Sequence, residues 1–184
     1  MKSNSVNKYE LVVYGTRNNF EYEYLLLLEM SWVSIPEVKC YGSIGDKYAA
    51  FLAPSSGEIE AIRLTHFSGV VSCGTNNPSS LWGCQNEYFQ QNEFMTFVTD
   101  SEKKIIFPSV QYRNDYTNGV RSTYKVAGAD VKTTKSVILK SDPPRIVEKG
   151  EEFQIWYNVD RTNVHESGND PNALHCILVS LKYC

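Results

Sequence analysis

Hydrophobic and polar positions along the chain exchange over short distances, and the dominant period is two. Phe20-Glu21-Tyr22-Glu23-Tyr24 alternates aromatic and acid at every step, the pattern of a half-buried strand with one wet face. Residues 9–14 form an earlier candidate strand, closed by Gly15 and the Asn18-Asn19 pair. The apolar run 25–28 either continues the second strand or turns helical, and it is too short for periodicity to separate the two. Further strands are predicted at 47–52, 59–65, 70–73, 94–99, 104–107, 136–139, 153–157 and 174–183, with Gly, Asn, Pro and Ser clusters between them. Helical signals are confined to the Gln-rich stretch 87–93 and the Leu25 region. With no internal repeat and no dividing linker, about ten short strands predict one all-β domain over the whole chain. The expected architecture is an antiparallel β-sandwich or jelly roll with little helix.

Composition narrows the function. Lys plus Arg number 18 and Asp plus Glu 21, a net charge of −3, which disfavours non-specific binding to nucleic acid or anionic membranes. The longest apolar run falls far short of the roughly 20 residues of a membrane-spanning helix. The start Met1-Lys2-Ser3-Asn4-Ser5 lacks the apolar segment of a secretory signal. This fits either an intracellular protein or a mature form with an added initiator Met.

Five cysteines stand at 40, 73, 84, 176 and 184. Cys73 and Cys84 bracket a segment of turn residues, Gly74, Asn76-Asn77-Pro78 and Ser79-Ser80, which suits a disulfide between strands. Such a bridge would remove on the order of 3 kcal/mol of unfolded-state entropy in the loop-closure model. The alternative is a pair of thiols in a reducing compartment. Cys40 and Cys176 pair if their strands meet. Cys184, the last residue, is left for an intermolecular bridge or a free thiol.

Catalytic motifs are absent: the chain has no G-x-S-x-G, G-x-G-x-x-G, P-loop or H-E-x-x-H. His175 and Cys176 are strand neighbours that point to opposite faces, so they cannot act as a base and nucleophile pair. His66 on a predicted strand reads as a hydrogen-bonded structural histidine. The acidic pairs Glu21/Glu23, Glu58/Glu60 and Glu151/Glu152 read as solvated faces. No enzymatic activity is predicted.

Two features carry binding chemistry. The polar stretch 158–172 places Asp160, Glu166, Asn169 and Asp170 on a loop long enough for calcium, although its spacing is not that of an EF-hand. The competing reading is a hairpin loop whose Asx side chains bond their own backbone. The second feature is aromatic. Trp82 lies inside the Cys73–Cys84 segment and Tyr157 at the head of the polar loop. A ring beside fixed polar groups can offer a rigid apolar face to a sugar or peptide. Trp156, mid-strand, reads as core.

Residues 61–73, followed by Ser80-Leu81-Trp82-Gly83-Cys84, resemble secreted modules of corals, sea anemones and related marine invertebrates. Phe94-Met95-Thr96-Phe97-Val98-Thr99-Asp100 and Pro144–Gly150 leading into Phe153-Gln154-Ile155-Trp156-Tyr157 fit the same family. The resemblance spans roughly residues 45–184. It departs at Asn158, where the family has glycine, and at Gly168, where it has an acid. These modules occur in extracellular and skeletal-matrix settings without an assigned activity. The resemblance therefore implies an extracellular compartment and a Cys73–Cys84 bridge. The combined expectation is a secreted, non-enzymatic binding module for adhesion, matrix assembly or glycan recognition, with a glycan or extracellular protein as partner. The alternative is a self-assembling structural protein, a homo-oligomer cross-linked through Cys184.

Overall fold

The structure is a computed structural model that describes residues 32–72, 74, 78–84, 92–116, 121–163 and 171–184. The predicted strands at 9–14 and 20–24, the Leu25 run and most of the 87–93 helix lie outside these residues. So do Cys73, His165, Glu166, Asn169 and Asp170.

The chain runs through β1 (Trp32–Ser34), β2 (Lys39–Gly42), β3 (Ala49–Leu52), β4 (Gly57–Gly69), β5 (Thr96–Thr99) and β6 (Ile105–Phe107). A 3-10 turn (Val110–Tyr112) follows, then β7 (Arg113–Tyr116), β8 (Arg121–Tyr124), β9 (Ser136–Val147), β10 (Glu152–Tyr157), α1 (Asn158–Thr162) and β11 (Leu174–Tyr183). One sheet has the order β1-β11-β4-β9, with β2 also on β11, and a second has the order β3-β10-β5-β6. Every pairing among the described strands is antiparallel. The expected antiparallel, sandwich-like β architecture is what forms.

The core lies between the two sheets. From the first it takes Ile62, Leu64, Val137, Leu139, Ile177, Val179 and Leu181, and from the second Phe51, Val98, Phe153, Ile155 and Tyr157, all buried. Phe51 and Phe153 are direct cross-strand partners whose rings stack at 5.3 Å, a pairing that holds the β3–β10 register. Trp156 points away from this core by strand alternation, yet it is also fully buried, so the outer face of the second sheet carries its own cover.

Several strands differ from expectation. β4 runs on to Gly69 rather than stopping near residue 65, because β11 pairs along its full length with a bulge opposite Cys176/Ile177. Gly69 closes that strand at φ 76°, where a Cβ would meet the Leu174 carbonyl oxygen at 1.9 Å. β9 continues through Pro143-Pro144 because its pairing with β4 jumps from Ala61↔Lys140 to Ile59↔Arg145, and a bulge tolerates residues without an N–H. The segment predicted as a strand at 70–73 contributes one isolated bridge, Val71↔Ser80. Part of the polar stretch after β10 is helical, as α1.

Candidate functional site

The β2–β3 connection and α1 meet at one end of the sandwich. Gly45 and Asp46 both have positive φ, 81° and 55°, and Gly42 N–H closes the turn on the Lys47 carbonyl at 2.7 Å. Asp160 on α1 is fully buried. Its Oδ1 accepts the Asp46 amide and its Oδ2 the Lys47 amide, each at 2.8 Å. One carboxylate thus fixes a loop 114 residues away in sequence. Lys47 Nζ donates to the Pro171 carbonyl at 2.9 Å. Arg161 donates from Nε and Nη2 to Asn158 Oδ1 and from Nη1 to the Lys103 carbonyl.

Outside this anchored turn lies an aromatic stack. The Tyr48 ring packs 4.7 Å from the Trp156 indole with an interplanar angle of 24°. The Lys103 ammonium sits 4.4 Å from the centroid of the same indole and pairs with Asp46 Oδ1 at 2.7 Å. Trp156 Nε1 donates to Gln154 Oε1, and Gln154 Nε2 donates to Glu152 Oε1. Tyr48 itself is 42% exposed. A groove of about 260 Å³ opens elsewhere on the surface, lined by Lys104, Ile105, Ser109, Val110, Arg113 and Arg145 among others.

The aromatic candidates are corrected. Trp82 and Tyr157 are both fully buried and present no ring face to a ligand. Trp82 is held by its Nε1 donating to the Thr134 carbonyl at 2.6 Å and by edge contact with His175 at 4.8 Å. Tyr157 directs its hydroxyl at Met95 Sδ, 3.9 Å away, and burial pushes its phenol pKa well up. Asp160, expected as a calcium ligand, serves here as the loop anchor, while Glu166, Asn169 and Asp170 lie outside the described residues. Among the described residues no group of three His, Cys, Asp or Glu side chains is placed to hold a metal ion. The patch is built from Tyr48, Asp46 and Lys103, which sequence reasoning did not single out. The Gly42–Asp46 turn was the available signal, and nothing in it reveals that Trp156 lies beneath Tyr48.

The cysteines divide as follows. Cys40 and Cys176 form a disulfide because they are direct partners on β2 and β11. Cys84 is buried and disulfide-bonded, and its expected partner Cys73 lies outside the described residues. Cys184 is exposed and free.

The histidine on β4 is part of a longer network. Thr96 Oγ1 donates to the Trp82 carbonyl at 3.3 Å, so its oxygen accepts the Tyr41 hydroxyl proton at 2.8 Å. Tyr41 oxygen then accepts Nδ1–H of His175 at 2.8 Å, and His175 Nε2 accepts Nδ1–H of His66 at 2.9 Å. The four bonds run one way with both imidazoles neutral. Thr96, Tyr41 and His175 are fully buried. This is a structural histidine, as expected, joined to a second one.

No family model and no curated protein matches the chain. A solved structure does share this arrangement of strands. It is AJLec from the sea anemone Anthopleura japonica. The two superpose with a TM-score of 0.70 at 24% sequence identity, over 84% of this chain and 98% of AJLec. The expected likeness to sea-anemone proteins is therefore met at the level of fold. Among the described residues no helix is long and apolar enough to cross a membrane.

Proposed function

We propose that this chain is a secreted, non-enzymatic, lectin-like module that binds glycans through the loops at the α1 end of the sandwich. The observation that carries the reading is the fold shared with AJLec, a protein whose name marks it as a lectin. The Cys40–Cys176 disulfide supports an oxidising, extracellular setting. The anchored β2–β3 turn adds a rigid polar surface of the kind recognition needs. Adhesion and matrix assembly are roles that such binding would serve. The test is a glycan array probed with the folded protein, once with calcium and once with chelator. Saturable binding to a defined sugar class supports the reading, and dependence on calcium would return the loop after α1 to the ligand set. An array without signal in both conditions overturns it.

A second reading has one observation in its favour. Cys184 is exposed and free at the end of β11, which suits a cross-linked, self-assembling pair. Sedimentation without reductant decides: a covalent dimer that Cys184→Ser abolishes supports it, and a monomer removes it.

A further inference from the structure

The outer face of the β3–β10 sheet holds an aromatic ring that is exposed and yet fixed. Tyr48, Ala50 and Leu52 lie on that face by strand alternation, with Trp156, Gln154 and Glu152 beside them on β10. The underside of Tyr48 is stacked on a fully buried Trp156. Its neighbourhood is equally determined: Asp46 is positioned by the Asp160 anchor and by Lys103, and Lys103 by Asp46 and the indole. Little side-chain freedom remains to be lost when a ligand arrives, which removes one of the costs of binding.

The chemistry at the rim selects the class of ligand. A flat ring accepts a surface of C–H groups, and Asp46 and Lys103 remain partly exposed, at 53% and 38% of their side chains. The carboxylate accepts hydroxyl protons and the ammonium donates to hydroxyl oxygens. Because the two charges balance, the patch does not select for a charged partner. A body with one apolar face and hydroxyls around its edge is a neutral pyranose.

We propose that Tyr48 is the stacking face for a neutral pyranose ring, with Asp46 and Lys103 binding hydroxyls at its edge. This rests on the glycan reading above and gives that reading a site and a ligand class.

The experiment is a titration of the folded protein with a panel of methyl pyranosides, followed by amide and indole N–H shifts. Expected are shifts concentrated at Asp46, Lys47, Tyr48, Lys103 and the Trp156 indole. Tyr48→Ala should weaken binding at least tenfold, Asp46→Asn should weaken it measurably, and Tyr48→Phe should stay within about twofold because the ring is kept. An unchanged Trp156 indole signal in ligand-free Asp46→Asn would show that its fold is retained. Undiminished affinity in Tyr48→Ala overturns the inference while leaving the glycan reading intact. So does a loss caused by Arg145→Ala alone, which would move the sugar to the groove beside β9. Failure of every sugar on both the array and the titration overturns the glycan reading and this inference together.

Discussion

His66 donates from Nδ1 to Nε2 of His175 across 2.9 Å, joining two side chains 109 residues apart in sequence. The bond requires His175 Nε2 to be unprotonated. Burial, then the neighbouring His66, holds the His175 pKa down at about 3 from an ordinary 6.5. Burial, then the charge of Lys135, lowers that of His66 as well. Both folded values lie below the unfolded one. Above pH 6.5 the two states bind the same protons at these sites, and as pH falls from there toward 3 the unfolded chain takes up protons that the folded chain refuses. Stability is therefore expected to fall across that window, by several kcal/mol when His175 is fully engaged. Urea midpoints at pH 7, 5.5 and 4 measure it. His175→Gln should flatten the dependence, and an unchanged slope would show that other groups carry it.

Asp160 offers a cleaner test of architecture. Each of its oxygens holds one backbone amide of the β2–β3 turn, and hydrogen bonds to a charged group contribute about 1.5–3 kcal/mol each. Asp160→Ala is expected to cost about 3–6 kcal/mol, with Asp160→Asn losing at least half as much, because one acceptor remains but its NH2 group faces the other backbone N–H. Chemical denaturation gives the energies. Amide shifts at Asp46 and Lys47 should report the released turn, and undisturbed shifts would count against the anchor.

The Cys40–Cys176 disulfide closes a span of 136 residues. A loop of that length restricts the unfolded chain strongly, so Cys40→Ser with Cys176→Ser is expected to lower stability by about 2–5 kcal/mol. Cys184→Ser should leave stability unchanged, since that thiol is exposed and unbridged. Denaturation of the three forms without reductant separates the cases.

Much of the fold could be read from patterning. β10 and β11 were legible because each carries a long apolar or alternating run that fills the core whatever its neighbours do. β1 and β2 were not: Trp32–Ser34 and Lys39–Gly42 are short, and Pro36 and Glu37 stand between them. They are strands because β11 supplies an edge to pair with, a fact of tertiary structure. β7 carries Arg113, Asn114 and Asp115, and among the described residues its only strand partner is β8. The site was less legible than the fold. Trp82 stands among turn residues, which suggests exposure, and only the approach of Thr134 shows why it is buried. Tyr48 reads as an ordinary strand residue until the β3–β10 register sets it over Trp156. The histidine pair likewise needed the β4–β11 register, which local sequence does not encode.

The bulged end of β9 bears on how copies of this protein can meet. β9 is the last strand of its sheet, the position at which a foreign strand could add. That margin is occupied: Ser109 N–H reaches the Lys140 carbonyl, Asp142 N–H reaches Ser109 Oγ, and the Gln111 amide bonds the Asp142 carbonyl. The two prolines that follow have no N–H to offer. Over Lys140–Pro144 this edge therefore has few backbone groups left to pair with a foreign strand, so crowding many copies together would not template strand addition at that stretch.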